Sequence, residues 1–456
     1  MSNFTDILAC PRCDSSLQGS RSAEAQPAGM RCASCQIDFP TYDDVLWLVA
    51  EPGVMLTEWR NRWHMALAQL AEQSKLTHKA LQAASGEAAR ARLQTLSNGY
   101  TRQKTALEDL LSSLGVGKPA NLTTYLALKT RLPTHSGLLS YQANVHRDWC
   151  WGEAENTASL ACITQALQDK KPQKILVLGA GAGRLAYDIH QSLTPTLTIA
   201  LDINPYLTTV AQRMARGETL NLVEFPLAPR SGAQAALERS LRAPQPAKPG
   251  FHVLLADVMR APFVPAAFDL VVTPWLIDIL DAPVDELLPR FNHLLANGGT
   301  WLFHGSLAFT QRDPAACLNL EELIEQSQEQ GFALGNVSEA ILPYMDCPDS
   351  RHGRRECVIT MTAKKTHTVA QPARHQSLPD WIAKGRGPVP LLSAFQSQAM
   401  STRIHAFIMS LIDGKRSLKD IAGVMEEKQL MARDDAETAI RGFLIKMFDE
   451  AGRQGL

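Results

Sequence analysis

Lys174-Ile-Leu-Val-Leu-Gly-Ala-Gly-Ala-Gly-Arg184 reads as a buried parallel strand that runs into a glycine turn and then a helix. Four apolar residues in succession, Ile175 to Leu178, are what a strand covered on both faces requires. Gly179, Gly181 and Gly183 let the backbone turn tightly and come close to a ligand. The next apolar run, Leu197 to Leu201, ends in Asp202, twenty-three residues after Gly179, where a carboxylate can accept hydrogen bonds from a ribose diol. Phe251 to Ala256 closes on Asp257 and Val258, and Phe268-Asp-Leu-Val-Val-Thr273 follows. These runs predict an α/β chain with a doubly wound sheet.

The position where a nicotinamide fingerprint would have its third glycine is Arg184. An acid closing one strand, with "FDLVV" shortly after, is instead the layout of S-adenosylmethionine (SAM) methyltransferases, and a seven-stranded sheet of that class is expected. "HRDWCWGEAE", "ILVLGAGAGRLAYDI", "FDLVVTPWLIDIL" and "LLANGGTWLFHGSL" resemble blocks of the carnosine N-methyltransferase family, over roughly residues 140 to 365. Those enzymes methylate an imidazole nitrogen of histidine-containing dipeptides. The resemblance implies that Arg147, the three glycines and Arg184 contact the methionine moiety, Asp202 the ribose, and Asp257 with Val258 the adenine. It also places Asp278 against an acceptor imidazole, where a carboxylate would stabilise the developing imidazolium. A helix N-cap is the plainer role for Asp278.

This chain departs from the family in two places. Gly305-Ser-Leu-Ala-Phe-Thr310 stands where the family has "GPLLYH", so Thr310 replaces a substrate-side histidine and His304 is the nearby candidate to compensate. Tyr344 matches one family tyrosine, and the region of Arg354 and Glu356 offers no second.

Cys10-Pro-Arg-Cys13 and Cys32-Ala-Ser-Cys35, with eighteen residues between the pairs, predict two knuckles and a structural four-sulfur zinc site within residues 1–50. The segment also resembles the zinc-ribbon activator subunit of tRNA and protein methyltransferases. A site with no open coordination position belongs to folding and docking rather than catalysis, and as a separable ribbon it would leave SAM binding intact when emptied.

Residues 51–135 read as a helical bracket of two or three helices, with breaks at Ser85-Gly86 and Ser97-Asn-Gly99. The catalytic domain is expected over 136–366, a polar linker over 367–387, and a last unit over 388–456. "LIDGKRSLKDIAGVMEE" and "DDAETAIRGFLIKMFDEAG" in that unit resemble the winged-helix domain of PqqD, a peptide-binding chaperone, which implies a docking role for a peptide or protein partner.

With 45 Lys+Arg against 46 Asp+Glu, the chain has no general attraction for nucleic acid or an anionic membrane. From Thr366 to Leu456 the balance is 12 Lys+Arg to 10 Asp+Glu, which offers little phosphate-neutralising charge. No apolar run approaches the roughly twenty residues of a membrane span, and a cytoplasmic location is expected. The function expected is methyl transfer from SAM to a nitrogen nucleophile of a peptide, a protein or a small histidine derivative. Two alternatives stand beside it. A tRNA or protein-glutamine methyltransferase with a fused ribbon would have N/D-P-P-Y where this chain reads Thr273-Pro-Trp-Leu-Ile-Asp278. A non-catalytic scaffold that binds SAM weakly and joins partners through its ribbon and winged helix is the other, and the intact Gly179, Gly181, Gly183, Asp202 and Asp257 argue against it.

Overall fold

The computed structural model describes residues 4–20, 29–115, 138–280, 282–311, 313–371 and 388–453. It divides into two compact units, Met1–Leu378 and Pro379–Leu456. The end of the expected bracket, 116–135, and most of the expected linker, 372–387, lie outside the described residues.

The first unit begins with a small ribbon of three antiparallel strands, β1 (Gln18–Ser20), β2 (Gly29–Cys32) and β3 (Ile37–Phe39). Two more strands follow, β4 (Thr41–Tyr42) and β5 (Val45–Leu48), and then a helical hairpin, α1 (Pro52–Ala83) and α2 (Glu87–Leu110). The hairpin turns at Ser85-Gly86 as the sequence predicts. It does not break at Gly99, where α2 runs on. A Cβ on Gly99 would stand 2.5 Å from the Ala236 Cβ, so this glycine serves close packing rather than a turn.

A short helix, α3 (Gln142–His146), a π turn (Arg147–Trp151) and α4 (Glu153–Leu167) lead into the alternating region. That region contains β6 (Lys174–Leu178), α5 (Arg184–Leu193), β7 (Leu197–Asp202), α6 (Pro205–Ala215), β8 (Thr219–Glu224), β9 (Leu237–Arg242), β10 (Phe251–Ala256) and β11 (Phe268–Pro274). It ends with α7 (Val284–Leu294), β12 (Leu295–Gly305), α8 (Leu320–Glu329), β13 (Phe332–Tyr344) and β14 (Arg354–Lys365).

The main sheet has the order β13-β14-β12-β11-β6-β7-β10-β5-β4. Strands β12, β11, β6, β7, β10 and β5 run parallel, and the β13–β14 hairpin is antiparallel at one edge. The seven strands expected are present, and the ribbon region adds two. Leu46, Trp47 and Leu48 pair in parallel with Leu254, Leu255 and Ala256, so the N-terminal segment lengthens the sheet instead of standing apart from it. Strands β8 and β9 form a separate hairpin that the sequence reading did not anticipate.

The strand alternation sorts two cores. Ile175 and Val177 face a layer containing Trp63, Ile163 and Tyr206, while Leu176 and Leu178 face Phe291, Trp301 and the ribbon residues Leu8, Met30 and Phe39. The ribbon therefore closes part of the second core.

The second unit contains α9 (Ser393–Ser410), α10 (Leu418–Glu427) and α11 (Arg433–Arg453) around Ile408, Ile421, Met425 and Ile440. Ser417 caps α10 through a reciprocal capping box with Asp420. No strand occurs among the described residues of this unit, so the wing of the expected winged helix is missing from them. No helix among the described residues is long and apolar enough to cross a membrane.

Candidate functional site

In a parallel doubly wound sheet, ligands sit beyond the carboxyl ends of the strands where the strand order reverses. Here that place is the end of β6, flanked by β7 on one side and β11 on the other. A cavity of about 580 Å³ opens there. Its floor is Gly179 to Ala182 with Asp202 to Asn204, and Asp257 and Val258 stand at one end.

The three glycines have three different tasks. All have positive φ, at 68°, 58° and 85° for Gly179, Gly181 and Gly183. A Cβ at Gly179 would meet Leu276 Cδ1 at 2.6 Å and one at Gly183 would meet the Ala211 Cβ at 2.7 Å. At Gly181 it would meet nothing within 4 Å. Gly179 and Gly183 are thus there for packing, and Gly181 presents bare backbone to the cavity. Gly183 does not line it, in contrast to what the resemblance implies.

Asp202 accepts the Gly181 N–H at 2.9 Å and the Asn204 N–H at 2.9 Å. Burial raises its pKa to about 6 in spite of those donors. Asp257 accepts the Met259 N–H at 2.9 Å, which fixes the turn that carries Val258.

Arg147 lines the cavity with its guanidinium on Asp148 Oδ1 at 2.7 Å and Glu155 Oε1 at 3.2 Å. The Cζ carbon of that guanidinium lies over the Tyr344 ring, 5.7 Å from its centroid. Burial pushes both carboxyl pKa values up while Arg147 pulls them down. Behind them the Trp149 indole N–H donates to the Ala182 carbonyl at 2.9 Å, tying the π turn to the glycine turn.

Arg184 is elsewhere. It donates to Asp188 Oδ2, the Asp148 carbonyl and Glu153 Oε2, and it stacks on Trp149. Its charge is spent holding the start of α5, so it contributes no contact inside the cavity. Asp278 is buried at 6% exposure in the turn after β11, where Ser306 Oγ donates to Oδ2 at 3.0 Å and Oδ1 accepts no well-formed hydrogen bond among the described residues. It caps no helix, since α7 begins only at Val284. Its neighbours Trp275, Leu276, Ile279 and Leu280 line the cavity and Asp278 does not. His304 is fully buried, with Nδ1 2.9 Å from Thr360 Oγ1, and burial lowers its pKa to about 4. It is a neutral packed ring rather than a wall residue. Tyr344 does line the cavity and packs on Trp275 at 4.8 Å.

The sequence reading missed one wall entirely. Met55, Glu58, Trp59 and Arg62, from the first turns of α1, face the cavity together with Tyr141 and Asn144. Arg62 lies over the Trp59 ring, 4.6 Å from its centroid, and pairs with Glu58. The signal was the run Glu58-Trp-Arg-Asn-Arg-Trp63, which is too aromatic and too charged for a plain bracket.

The second candidate centre is the cysteine cluster. The Sγ atoms of Cys10, Cys13, Cys32 and Cys35 all lie within 4.8 Å of one another. A tetrahedron of zinc–sulfur bonds of about 2.3 Å has edges of about 3.8 Å, so the four thiols fit with little movement. The Arg12 N–H points at Cys10 Sγ at 3.4 Å and the Cys35 N–H at Cys32 Sγ at 3.3 Å, as thiolates require. Asp14 and Gln36, the residues after the two knuckles, both have positive φ. Ala9 N–H to the Pro262 carbonyl at 2.8 Å and Val264 N–H to the Ile7 carbonyl at 2.9 Å fasten the first knuckle beside the Asp257 turn.

No protein family matches the sequence, and no curated protein does. Solved structures that resemble the chain include methyltransferases. One from Bacillus halodurans is 13% identical, with 46% of this chain and 100% of that one covered and a TM-score of 0.33. The complex of the Haloferax volcanii Trm112 activator with a methyltransferase gives 12% identity, 50% and 97% coverage, and 0.35. The N-methyltransferase NodS of Bradyrhizobium japonicum gives 13%, 46% and 94%, and 0.30.

Proposed function

We propose that this chain is a SAM-dependent methyltransferase acting on a nitrogen nucleophile of a peptide, a protein or a small histidine derivative. The observation that carries the reading is the convergence of Gly181, Asp202 and Asp257, from the ends of three parallel strands, on one cavity. SAM, when bound, supplies an electrophilic methyl group on a sulfonium. The bare backbone at Gly181 would admit the methionine portion, with Arg147 available to its carboxylate. Asp202 would accept hydrogen bonds from the ribose hydroxyls, and the Asp257–Val258 turn would border the adenine. Trp59, Trp275 and Tyr344 line the remaining space with aromatic rings, Arg62 lying over the first and Arg147 and Arg354 over the last. Zinc in the four-cysteine site would hold the ribbon and take no part in the transfer.

The ribose contact gives a pH dependence. Its acceptor must be the carboxylate, and the folded-state pKa of Asp202 is about 6 against an ordinary 3.8. SAM affinity should therefore fall as pH drops through 6, approaching tenfold per unit. Stability has the opposite sign. The folded chain holds this proton more tightly between those two values, so the Asp202 contribution becomes less favourable as pH rises through them. Calorimetric SAM titrations between pH 5 and 8 check the first point, and a flat profile in the wild type counts against Asp202 as the ribose acceptor. Asp202→Asn should bind weakly and without that slope.

The resemblance implies an imidazole acceptor held by Asp278. That carboxylate and His304 stand behind the cavity wall, so an imidazole there would need the turn at 275–280 to open. With that turn as it stands, Asp278→Asn should change turnover by less than about tenfold, since Asn keeps the Ser306 contact. A loss of roughly two to three orders of magnitude in kcat, the scale of one preorganised electrostatic contact, would instead establish Asp278 as the residue that carries the imidazole charge.

A further inference from the structure

The charges around the cavity do not balance. Among the described residues its lining contains five acids, Glu58, Asp148, Glu155, Asp202 and Asp257, against two arginines, Arg62 and Arg147. Two of the acids are answered. Glu58, half-exposed, pairs with Arg62, and Asp257 has Arg260 and Arg290 within electrostatic reach. Arg147 has to serve two of the others. Asp148 Oδ1 accepts from its Nε at 2.9 Å and its Nη2 at 2.7 Å, while Glu155 Oε1 stands 3.2 Å from its Nη1. Asp202 accepts from backbone N–H groups, and no basic side chain pairs with it among the described residues.

The imbalance is not corrected from behind the wall. Arg184 donates to the Asp148 carbonyl rather than to its carboxylate, and it is itself held by Asp188 and Glu153. Arg354, over the Tyr344 ring, is 57% exposed and paired with Glu356. The network of Arg147 and Arg184 thus sets two positive charges against the four carboxylates of Asp148, Glu153, Glu155 and Asp188, and Asp202 adds a fifth. One proton shared between Asp148 and Glu155 would still leave the sum negative. Arg147 keeps N–H groups for a ligand carboxylate, since a guanidinium has five, but it has no charge to spare.

Such an excess is felt strongly in a cleft, where the effective dielectric is well below that of water. SAM has a sulfonium and an ammonium against one carboxylate and is a net cation. Once the methyl group has gone, the sulfur is a thioether and S-adenosylhomocysteine (SAH) is a neutral zwitterion. The two share adenine, ribose and amino acid, so the contacts of Gly181, Asp202 and the Asp257 turn do not tell them apart. We infer that the unbalanced carboxylates make the cavity selective for the cationic ligand, so that it retains SAM and releases SAH, with Asp148 and Glu155 as specificity-determining residues. This rests on the methyltransferase reading above. Its consequence is a transferase that its own product inhibits weakly.

The test is calorimetric titration of the full chain at pH 7.4, above the Asp202 value of about 6, with SAM, SAH and sinefungin. Sinefungin has a carbon bearing a protonated amine where SAM has its methylated sulfonium, so it keeps the charge without the methyl group. SAM and sinefungin should each bind more tightly than SAH by about tenfold or more. Glu155→Gln removes one charge and keeps an oxygen for the Met345 N–H, and Asp148→Asn keeps the oxygen that Arg147 uses. Either folded variant should lose about threefold or more of the preference for SAM over SAH, through weaker SAM binding. SAH binding as tightly as SAM, sinefungin binding as weakly as SAH, or an unchanged preference in a folded variant overturns the inference and leaves the methyltransferase reading in place. The wild-type comparison decides even if neither variant folds. A wild-type chain that binds neither SAM nor SAH overturns both.

Discussion

Gly181→Arg should abolish SAM binding while leaving the fold intact. The other two glycines of the turn cannot give a clean result, because a side chain at either would collide with Leu276 or with Ala211 and disturb the packing of the sheet and α6. At Gly181 the added Cβ meets nothing within 4 Å, so the arginine side chain would extend into the cavity itself. The backbone cost is confined to one residue at φ 58°, roughly 1–2 kcal/mol. The binding cost is larger. The site needs the Gly181 N–H held by Asp202 and open space above it, and a filled site should weaken SAM at least a hundredfold, or about 2.7 kcal/mol. Calorimetry reads the affinity, and circular dichroism and a melting curve show whether the chain is folded. A folded Gly181→Arg protein with wild-type SAM affinity would mean that the glycine turn is not the cofactor site.

The parts of this fold that were legible in the sequence are those whose physical cause is local. Ile175 to Leu178 had to be covered on both faces, and they are, with odd and even residues in opposite cores. Two Cys-x-x-Cys pairs had to meet if they were to bind one ion, and their sulfurs do. The residues misjudged are those whose role depends on what packs against them. Arg184 follows a ligand-like glycine turn, but Asp188 lies one helical turn further on and Glu153 beside it, and those acids take the guanidinium. His304 ends up facing Thr360 of β14 because β12 pairs antiparallel with that strand, a register no short motif encodes. The wall built by α1 was invisible for the same reason. Its residues reach the cavity only because β5 docks on β10 and sets where the helix begins.

That docking would make a zinc ion in the four-cysteine cluster more than a local fold stabiliser, and it reverses the expectation that SAM binding survives loss of the metal. Cys10→Ser/Cys32→Ser removes two of the four sulfurs, and the short strands β1 to β3 have little to hold them together besides a shared ion and their docking on the second core. The consequences follow along the chain. With the ribbon lost, Leu46 to Leu48 no longer have a fixed partner in Leu254 to Ala256, the strand whose next residue is Asp257. The Ala9 and Val264 hydrogen bonds that brace the Asp257 turn go with it. On the other side, α1 starts at Pro52, four residues beyond β5, so Glu58, Trp59 and Arg62 lose the anchor that holds them over the cavity. Two walls of the cavity would thus depend on one metal ion held by four cysteines that line neither of them. We expect the double variant to bind no zinc by metal analysis, to melt at a lower temperature, and to bind SAM at least tenfold more weakly by calorimetry. A chelated wild-type chain should behave the same way and recover on zinc addition. Full SAM affinity in a zinc-free protein would show that the β5–β10 pairing stands without the ribbon, and a full equivalent of zinc in the double variant would place the metal at other residues.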